Sequence, residues 1–353
     1  QEMASVTALY SAYKVTGELW ILDGMNKKLD RLLQLQSAEG WFSEYGGADI
    51  GYLSVTLDML AEYYWMSRDE KVIASLNKMV EFVKYFVHPD KTIGGEYASR
   101  NTIYFLPNGL QVLACLGNAS AESMIDVLYT DTEKEFYFLD AVDDRYFSHY
   151  ILHSFLRALQ KRLQQETTCE KTQLPYMYEQ EHFFEEAGLY SKTWENRYAI
   201  VGVAKGGVCR VWGGEIPCFN DYGYRVKLDN GKVAVTNWQN GDYVYQKENN
   251  HVMVSGYMNI VRQKMPTPMM HLGLRIISAV IGNRIIGFLK NQIILVHKQS
   301  DIKFERSIDF QDNQIIIDDI IISPKKIKLE CAECYSLRHV ASGKFFSVAG
   351  LAP

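Results

Sequence analysis

Apolar residues recur at helical spacing over the first half of the chain and at strand spacing over the second. Val6, Leu9, Tyr10 and Tyr13 fall on one face of a run that Gly17 breaks. Leu19, Ile21, Leu22 and Met25 continue through Leu32, Leu33 and Leu35 as a second helix, stopped at Gly40. The run from Tyr52 to Trp65 predicts a third. Ser67 and Glu70 have the spacing of a capping box ahead of a fourth, Val72 to Val87, which Pro89 ends. Pro107 suits the first position of a fifth helix through Cys115, and the runs Ala121 to Leu128 and Arg145 to Leu163 give two more. Short connections between such helices predict antiparallel hairpins.

From about Phe183 the pattern changes to short β-type runs. Tyr198 to Ala204, Tyr222 to Leu228, Lys232 to Thr236 and His251 to Ser255 are followed by Arg275 to Ile281, Ile285 to Leu289, Gln292 to His297, Phe304 to Phe310 and Gln314 to Ile322. Asp229-Asn230-Gly231 is a hairpin turn signal, and Asp312-Asn313 marks a second. Many short strands separated by turn residues predict a large antiparallel β-sandwich. The expected organisation is a helical-hairpin domain over residues 1–166, a polar linker containing Pro175 over 167–182, and the sandwich domain over 183–353.

At 353 residues the chain is long enough for two cores. A net charge of −5 gives no basic footprint, which argues against a nucleic-acid partner. No window approaches the about 20 apolar residues of a membrane span. The 23 tyrosines suit carbohydrate faces, although such rings also fill cores. Cys331 and Cys334 form the sole CxxC, and no second ligand pair accompanies it, so neither zinc nor any other metal or cofactor is expected. The opening Gln1-Glu2-Met3-Ala4 is already helical in pattern, which leads us to expect a longer protein preceding it.

Two glycine-rich stretches carry the candidate chemistry. Trp41-Phe42-Ser43-Glu44-Tyr45-Gly46-Gly47-Ala48-Asp49 and Gly94-Gly95-Glu96-Tyr97-Ala98-Ser99-Arg100-Asn101-Thr102 each follow an apolar helical run. A turn that only joins helices needs glycine and a cap, not tyrosines and a cluster of charges. Loops held on a rigid scaffold are where binding groups concentrate. The two are expected to emerge at one end of the helical layer, with phenol, guanidinium and carboxamide groups facing a polar ligand.

Helical hairpins with such loops, followed by strands containing Lys205-Gly206-Gly207-Val208 and Phe304-Glu305-Arg306-Ser307-Ile308-Asp309-Phe310, resemble the heparinase II/III-like polysaccharide lyases. That resemblance implies an incomplete (α/α) toroid joined to an antiparallel β-sandwich, and β-elimination on an acidic, uronic-acid-containing polysaccharide. The chain supplies fewer helical hairpins than such a toroid holds. In such chemistry a Tyr removes the C5 proton and protonates the leaving oxygen, while a neutral or cationic group holds the carboxylate. Tyr97, Arg100 and Asn101 supply these types within five residues. Glu44, Tyr45, Asp49, Tyr52 and Glu96 complete the expected substrate-binding set, with Tyr45 and Tyr52 as alternative bases. The sequence departs from the group in having no His-rich stretch after Gly207. A periplasmic or extracellular location follows from the resemblance alone.

Other readings stand beside this one. The chain can be a non-catalytic glycan-binding or exopolysaccharide-assembly protein. It can also be a glycoside hydrolase, with Glu44 or Asp49 and Glu96 as paired carboxyls. Asp49 also suits the N-cap of the third helix. His88, before Pro89, reads as the C-terminal residue of the fourth helix, where a cation meets the helix dipole. His149 and His153 share a helix face without an evident third metal ligand, and Asp318-Asp319 reads as a bulge in a strand.

Overall fold

The structure, a computed structural model, describes residues 2–44, 46–130, 146–164, 169–213, 216–239, 242–261, 269, 272–273, 275–277, 298–312 and 314–332. Helices come first and antiparallel sheets follow. The described residues form two compact units. One holds Glu2 to Gly202 together with Cys209 to Asp221, and the other holds Val203 to Val208 and the residues from Tyr222 onward. The first unit therefore includes a sheet as well as the helices, whereas the linker expected from sequence lies at 167–182.

In the first unit, α1 (Glu2–Thr16) ends where the Gly17 N–H bonds to the Tyr13 carbonyl, and α2 (Leu19–Leu33) stops short of the expected Leu35. β1 (Ser43–Glu44) and β2 (Gly47–Ala48) make a small hairpin ahead of α3 (Ile50–Ser67). The Ser67–Glu70 capping box does not form. Ser67 bonds back to the Tyr63 carbonyl, and Asp69 caps the following 3₁₀ turn by accepting from the Lys71 N–H. α4 (Ile73–Val83) ends in a second 3₁₀ turn, Lys84–Phe86, so the helix is shorter than expected. α5 (Pro107–Cys115) has Pro107 in its first turn as predicted, and α6 (Ala119–Tyr129) is capped by Asn118. α7 (Leu152–Gln164) follows a π turn, Phe147–Ile151; Asp143, Asp144 and Arg145 lie outside the described residues.

Helix α3 is buried on almost every side, as an apolar run without a polar stripe requires. It packs against α1 and α5, and α5 packs against α6 and α7. The five strands β3 (Gln180–Phe184), β4 (Leu189–Trp194), β5 (Arg197–Gly202), β6 (Val208–Gly213) and β7 (Ile216–Asp221) lie side by side in chain order. Of these, sequence patterning marked only β5. Phe184 of β3 sits edge-on to Phe82 of α4 and also against Phe86, which ties this sheet to the helices.

The second unit contains β8 (Tyr224–Lys227), β9 (Val233–Val235), β10 (Val244–Glu248), β11 (His251–Ile260), β12 (Gln299–Phe310), β13 (Ile315–Ile322) and β14 (Leu329–Cys331). Their order is β13-β12-β11-β9-β8-β14, with β10 also paired to β11. The Asp229-Asn230-Gly231 hairpin forms between β8 and β9 as predicted. Residues 275–277 are helical rather than extended, and the predicted strands over 285–289 and 292–297 lie outside the described residues, as do Asn313 and Cys334. Asp318 and Asp319 sit in unbroken register opposite Ser307 and Arg306, so there is no bulge there.

The two motif segments quoted above meet in this unit. Arg306 of β12 is buried and makes a bidentate pair with Asp319, both bonds at 2.7 Å, while its Nη1 donates to the Gly207 carbonyl at 3.1 Å. Gly207 has φ +78°, and a β-carbon there would stand 2.7 Å from Cδ of Arg306. Glycine at 207 thus answers both a left-handed backbone and a packed arginine stem.

Candidate functional site

The first unit holds the candidate site. After the 3₁₀ turn, Val87 bridges to Ile93 and the chain turns back on itself, with the His88 N–H bonded to the Thr92 carbonyl at 2.9 Å. His88 is therefore not the cationic end of a helix. It is fully buried inside a tight hairpin, and burial, reinforced by the positive Arg210, holds it well below its usual pKa and neutral. The end of β5 runs along the Tyr97 backbone, where a β-carbon at 202 would lie 2.3 Å from the Tyr97 carbonyl oxygen; glycine is needed for that approach.

A chain of hydrogen bonds starts at Tyr97. Its hydroxyl lies 2.9 Å from Nε2 of His88, and Nδ1 of His88 lies 2.7 Å from the Thr92 hydroxyl, which donates to Oδ1 of Asp90 at 2.5 Å. These distances fix the directions. Thr92 spends its proton on Asp90, so Nδ1–H of His88 donates to Thr92, and Nε2 accepts from Tyr97. Oδ2 of Asp90 accepts from the Trp212 indole N–H at 2.8 Å. The Trp212 ring in turn stacks on His88, with centroids 4.1 Å apart.

Arg210, two residues before Trp212 on β6, lies over the Trp212 ring at 4.6 Å and donates from Nε to the Cys218 sulfur at 3.4 Å. Gly95 separates its fork from Tyr97: a methyl group at 95 would sit 3.4 Å from Nη1 of Arg210 and 3.5 Å from Cε1 of Tyr97. Guanidinium and phenol ring edge are thus no more than about 7 Å apart.

Of the residues singled out from sequence, Asp49, Glu96, Tyr97 and Arg100 are buried, while Glu44, Tyr52 and Asn101 are half-buried. Tyr45 lies outside the described residues. The two glycine-rich loops meet: the Ser99 N–H bonds to the Ala48 carbonyl and its hydroxyl to the Glu44 carbonyl. Arg100 stacks over the Tyr52 ring at 4.8 Å, and Tyr52, Tyr104 and Tyr146 form a continuing series of ring contacts. Asp49 caps α3, accepting from the Tyr52 N–H at 2.9 Å and from the Thr102 hydroxyl at 2.6 Å, and burial raises its pKa.

Sequence reasoning missed Thr92, Asp90, Arg210 and Trp212 and misplaced His88. The local signal was a polar, proline-started turn between two apolar runs; Arg210 and Trp212, far along the chain, gave none. Among the described residues no group of three His, Cys, Asp or Glu side chains converges to hold a metal, and no helix is long and apolar enough to cross a membrane. Neither the comparison with protein-family models nor the search of curated proteins finds a match for this chain.

Proposed function

We propose that this chain is a polysaccharide lyase-like protein, acting by β-elimination on a uronic-acid-containing polysaccharide, with its helices as part of an (α/α) toroid and its sheets as a β-sandwich. The observation that carries the reading is the Tyr97 phenol donating to a neutral His88, with the Arg210 cation beside the ring. A phenol needs an acceptor for its proton and a nearby positive charge to act as a base near neutrality. His88, which burial keeps neutral, orients the phenol by accepting its hydrogen bond; Arg210 is the charge that favours the phenolate, and the phenol's proton leaves to water. The phenolate then takes the C5 proton, C4–C5 becomes a double bond, the C4–O bond breaks, and Tyr97 returns the proton to the departing oxygen. Asn101, half-buried in the same loop, supplies a carboxamide for the developing enolate.

The burial of the Tyr97–His88 pair favours a second reading, a non-catalytic glycan-binding protein in which the chain of hydrogen bonds only clamps the loop. Elimination leaves an unsaturated uronate that absorbs in the ultraviolet. The test is absorbance over a panel of acidic polysaccharides with wild type and Tyr97→Phe. The lyase reading expects product with at least one polymer and its loss, with binding kept, in the variant. Product at an undiminished rate in Tyr97→Phe removes Tyr97 from the chemistry. Binding without product from wild type selects the second reading.

A further inference from the structure

Helix α7 is turned inside out. Its polar side faces the protein: Ser154 is buried and donates to Asp58 of α3, and Lys161 is buried against Glu62 of α3 and Asn108 of α5. Its apolar side faces away. Leu156, Leu159 and Leu163 are 57%, 56% and 79% exposed, and Leu152, on the same stripe, is half-buried. At about 100° per residue the four leucines fall within about 60° of one another and about 180° from Lys161. A surface helix ordinarily does the reverse, burying its apolar stripe and exposing its charges. Single exposed leucines need no account, but a continuous stripe of them marks an interaction face.

The spacing of the stripe says what kind of surface covers it. Steps of four, three and four residues separate the leucines, the rhythm by which one helix receives another in knobs-into-holes packing. That rhythm reads the same in both directions. We propose that α7 pairs antiparallel with α7 of a second copy of this chain, about a twofold axis that passes between Arg157 and Ala158. Leu152 then meets Leu163 of the second copy, and Leu156 meets Leu159, so every leucine is covered by a leucine, as a self-complementary interface requires. The flanks fit the same register without bringing like charges together. On one side His153 comes beside Gln160 of the second copy; burial, and then Arg157, hold His153 below its usual pKa, so it meets the amide uncharged. On the other side Phe155 comes beside Arg162. Arg162 already has its charge matched by both oxygens of Glu122 at 2.8 Å, which leaves its stem and planar face for the ring. One 13-residue helix offers less than a standard interface, so the dimer is expected at micromolar strength. The pairing does not involve Tyr97 and holds or fails independently of the chemistry proposed there.

The test is sedimentation velocity of the full chain over a range of concentrations, for wild type and Leu159→Glu. Wild type should pass from monomer to dimer as concentration rises through the micromolar range. Leu159→Glu lies beside the axis and occurs twice in the dimer, so it should weaken association by about a hundredfold or more and leave the thermal melt of the monomer unchanged. Register is read separately, by mixing chains that carry Leu156→Cys with chains that carry Leu159→Cys and oxidising them. Mass spectrometry should find a disulfide joining position 156 to position 159 in higher yield from the mixture than any disulfide at these positions in either chain alone. A dimer that survives Leu159→Glu undiminished overturns the proposal, as does a wild type that stays monomeric at about 100 μM. In that second case the melt separates the other occupants: a monomer that Leu159→Glu destabilises covers the stripe with its own chain, and one that it leaves unchanged keeps the stripe for a different protein. A mixture that cross-links no better than its components overturns the antiparallel register, whether or not Leu159→Glu folds.

Discussion

His88 is the residue whose environment departs most from its place in the sequence. In an unfolded chain an imidazole gains its proton near pH 6.5, whereas the buried ring resists it. Because the folded pKa is depressed, the unfolded state binds more protons once pH falls below about 6.5, and stability drops with it. A His88→Asn chain should show a shallower loss of denaturation midpoint between pH 7 and pH 5 than wild type, measured in urea; parallel curves would show that His88 titrates freely. Removing the Tyr97 hydroxyl strands Nε2 of His88 inside the hairpin, so Tyr97→Phe should cost about 1–3 kcal/mol of stability, as buried polar groups do when a partner is lost. Legibility at this scale was partial. Asp49 as a cap and Pro107 as a helix start were written in local spacing, and both hold. His88 and Tyr97 were visible as residues but not as a pair, because the hairpin that joins them closes through backbone groups that carry no side-chain signature.

Elements in this chain are pinned by a few buried polar contacts. Between α3, α5 and α7, Asp58 accepts from Ser154 at 2.5 Å, Ser154 accepts from the Asn108 N–H, and Lys161 bonds to both Glu62 and Asn108. Burial pushes the Asp58 carboxyl up to about 6 despite Ser154, Arg157 and Lys161. With the folded pKa raised, the stability present below about pH 4 is lost as pH rises through 6, by about 3 kcal/mol for a shift of this size. Asp58→Asn should flatten that part of the stability curve relative to wild type; Asp49, shifted the same way, is common to both chains and cancels. An unchanged slope would place the titration elsewhere. In the other unit, Gly207→Ala meets both a positive φ and the Arg306 stem, and should cost about 2 kcal/mol or more in a urea melt. The helical periods were readable where a helix buries several apolar residues, as α2, α4 and α5 do. β4 and β6 were not, since nearly every residue of each is buried and no period of two stands out, and β10 alternates only between exposed and half-buried positions.

At the scale of the molecule, the division of the chain is itself testable. Texture changes near residue 183, and that change led to a helical domain ending at 166. The packing of the first compact unit argues that this segment does not fold alone. Phe82 and Phe86 are almost wholly covered and both meet Phe184 of β3; His88 stacks on Trp212 of β6; and Glu39 accepts from the N–H groups of Glu186 and Ala187. Removing everything after 166 would expose two phenylalanines, each worth about 1.5–3 kcal/mol when buried, and would open the hairpin around His88 to water. A marginal net stability of about 5–15 kcal/mol leaves little room for such a loss. We expect residues 1–166 expressed alone to show collapsed, poorly dispersed amide resonances and no cooperative melt, while residues 1–221 gain dispersion and a single transition. A cooperative melt from the shorter fragment would restore the boundary at 166 and reduce the sheet contacts of Phe82, Phe86 and His88 to accessories. Failure of both fragments would mean that the first unit depends on chain beyond 221, and the site around Tyr97 would then have to be studied only in the whole protein.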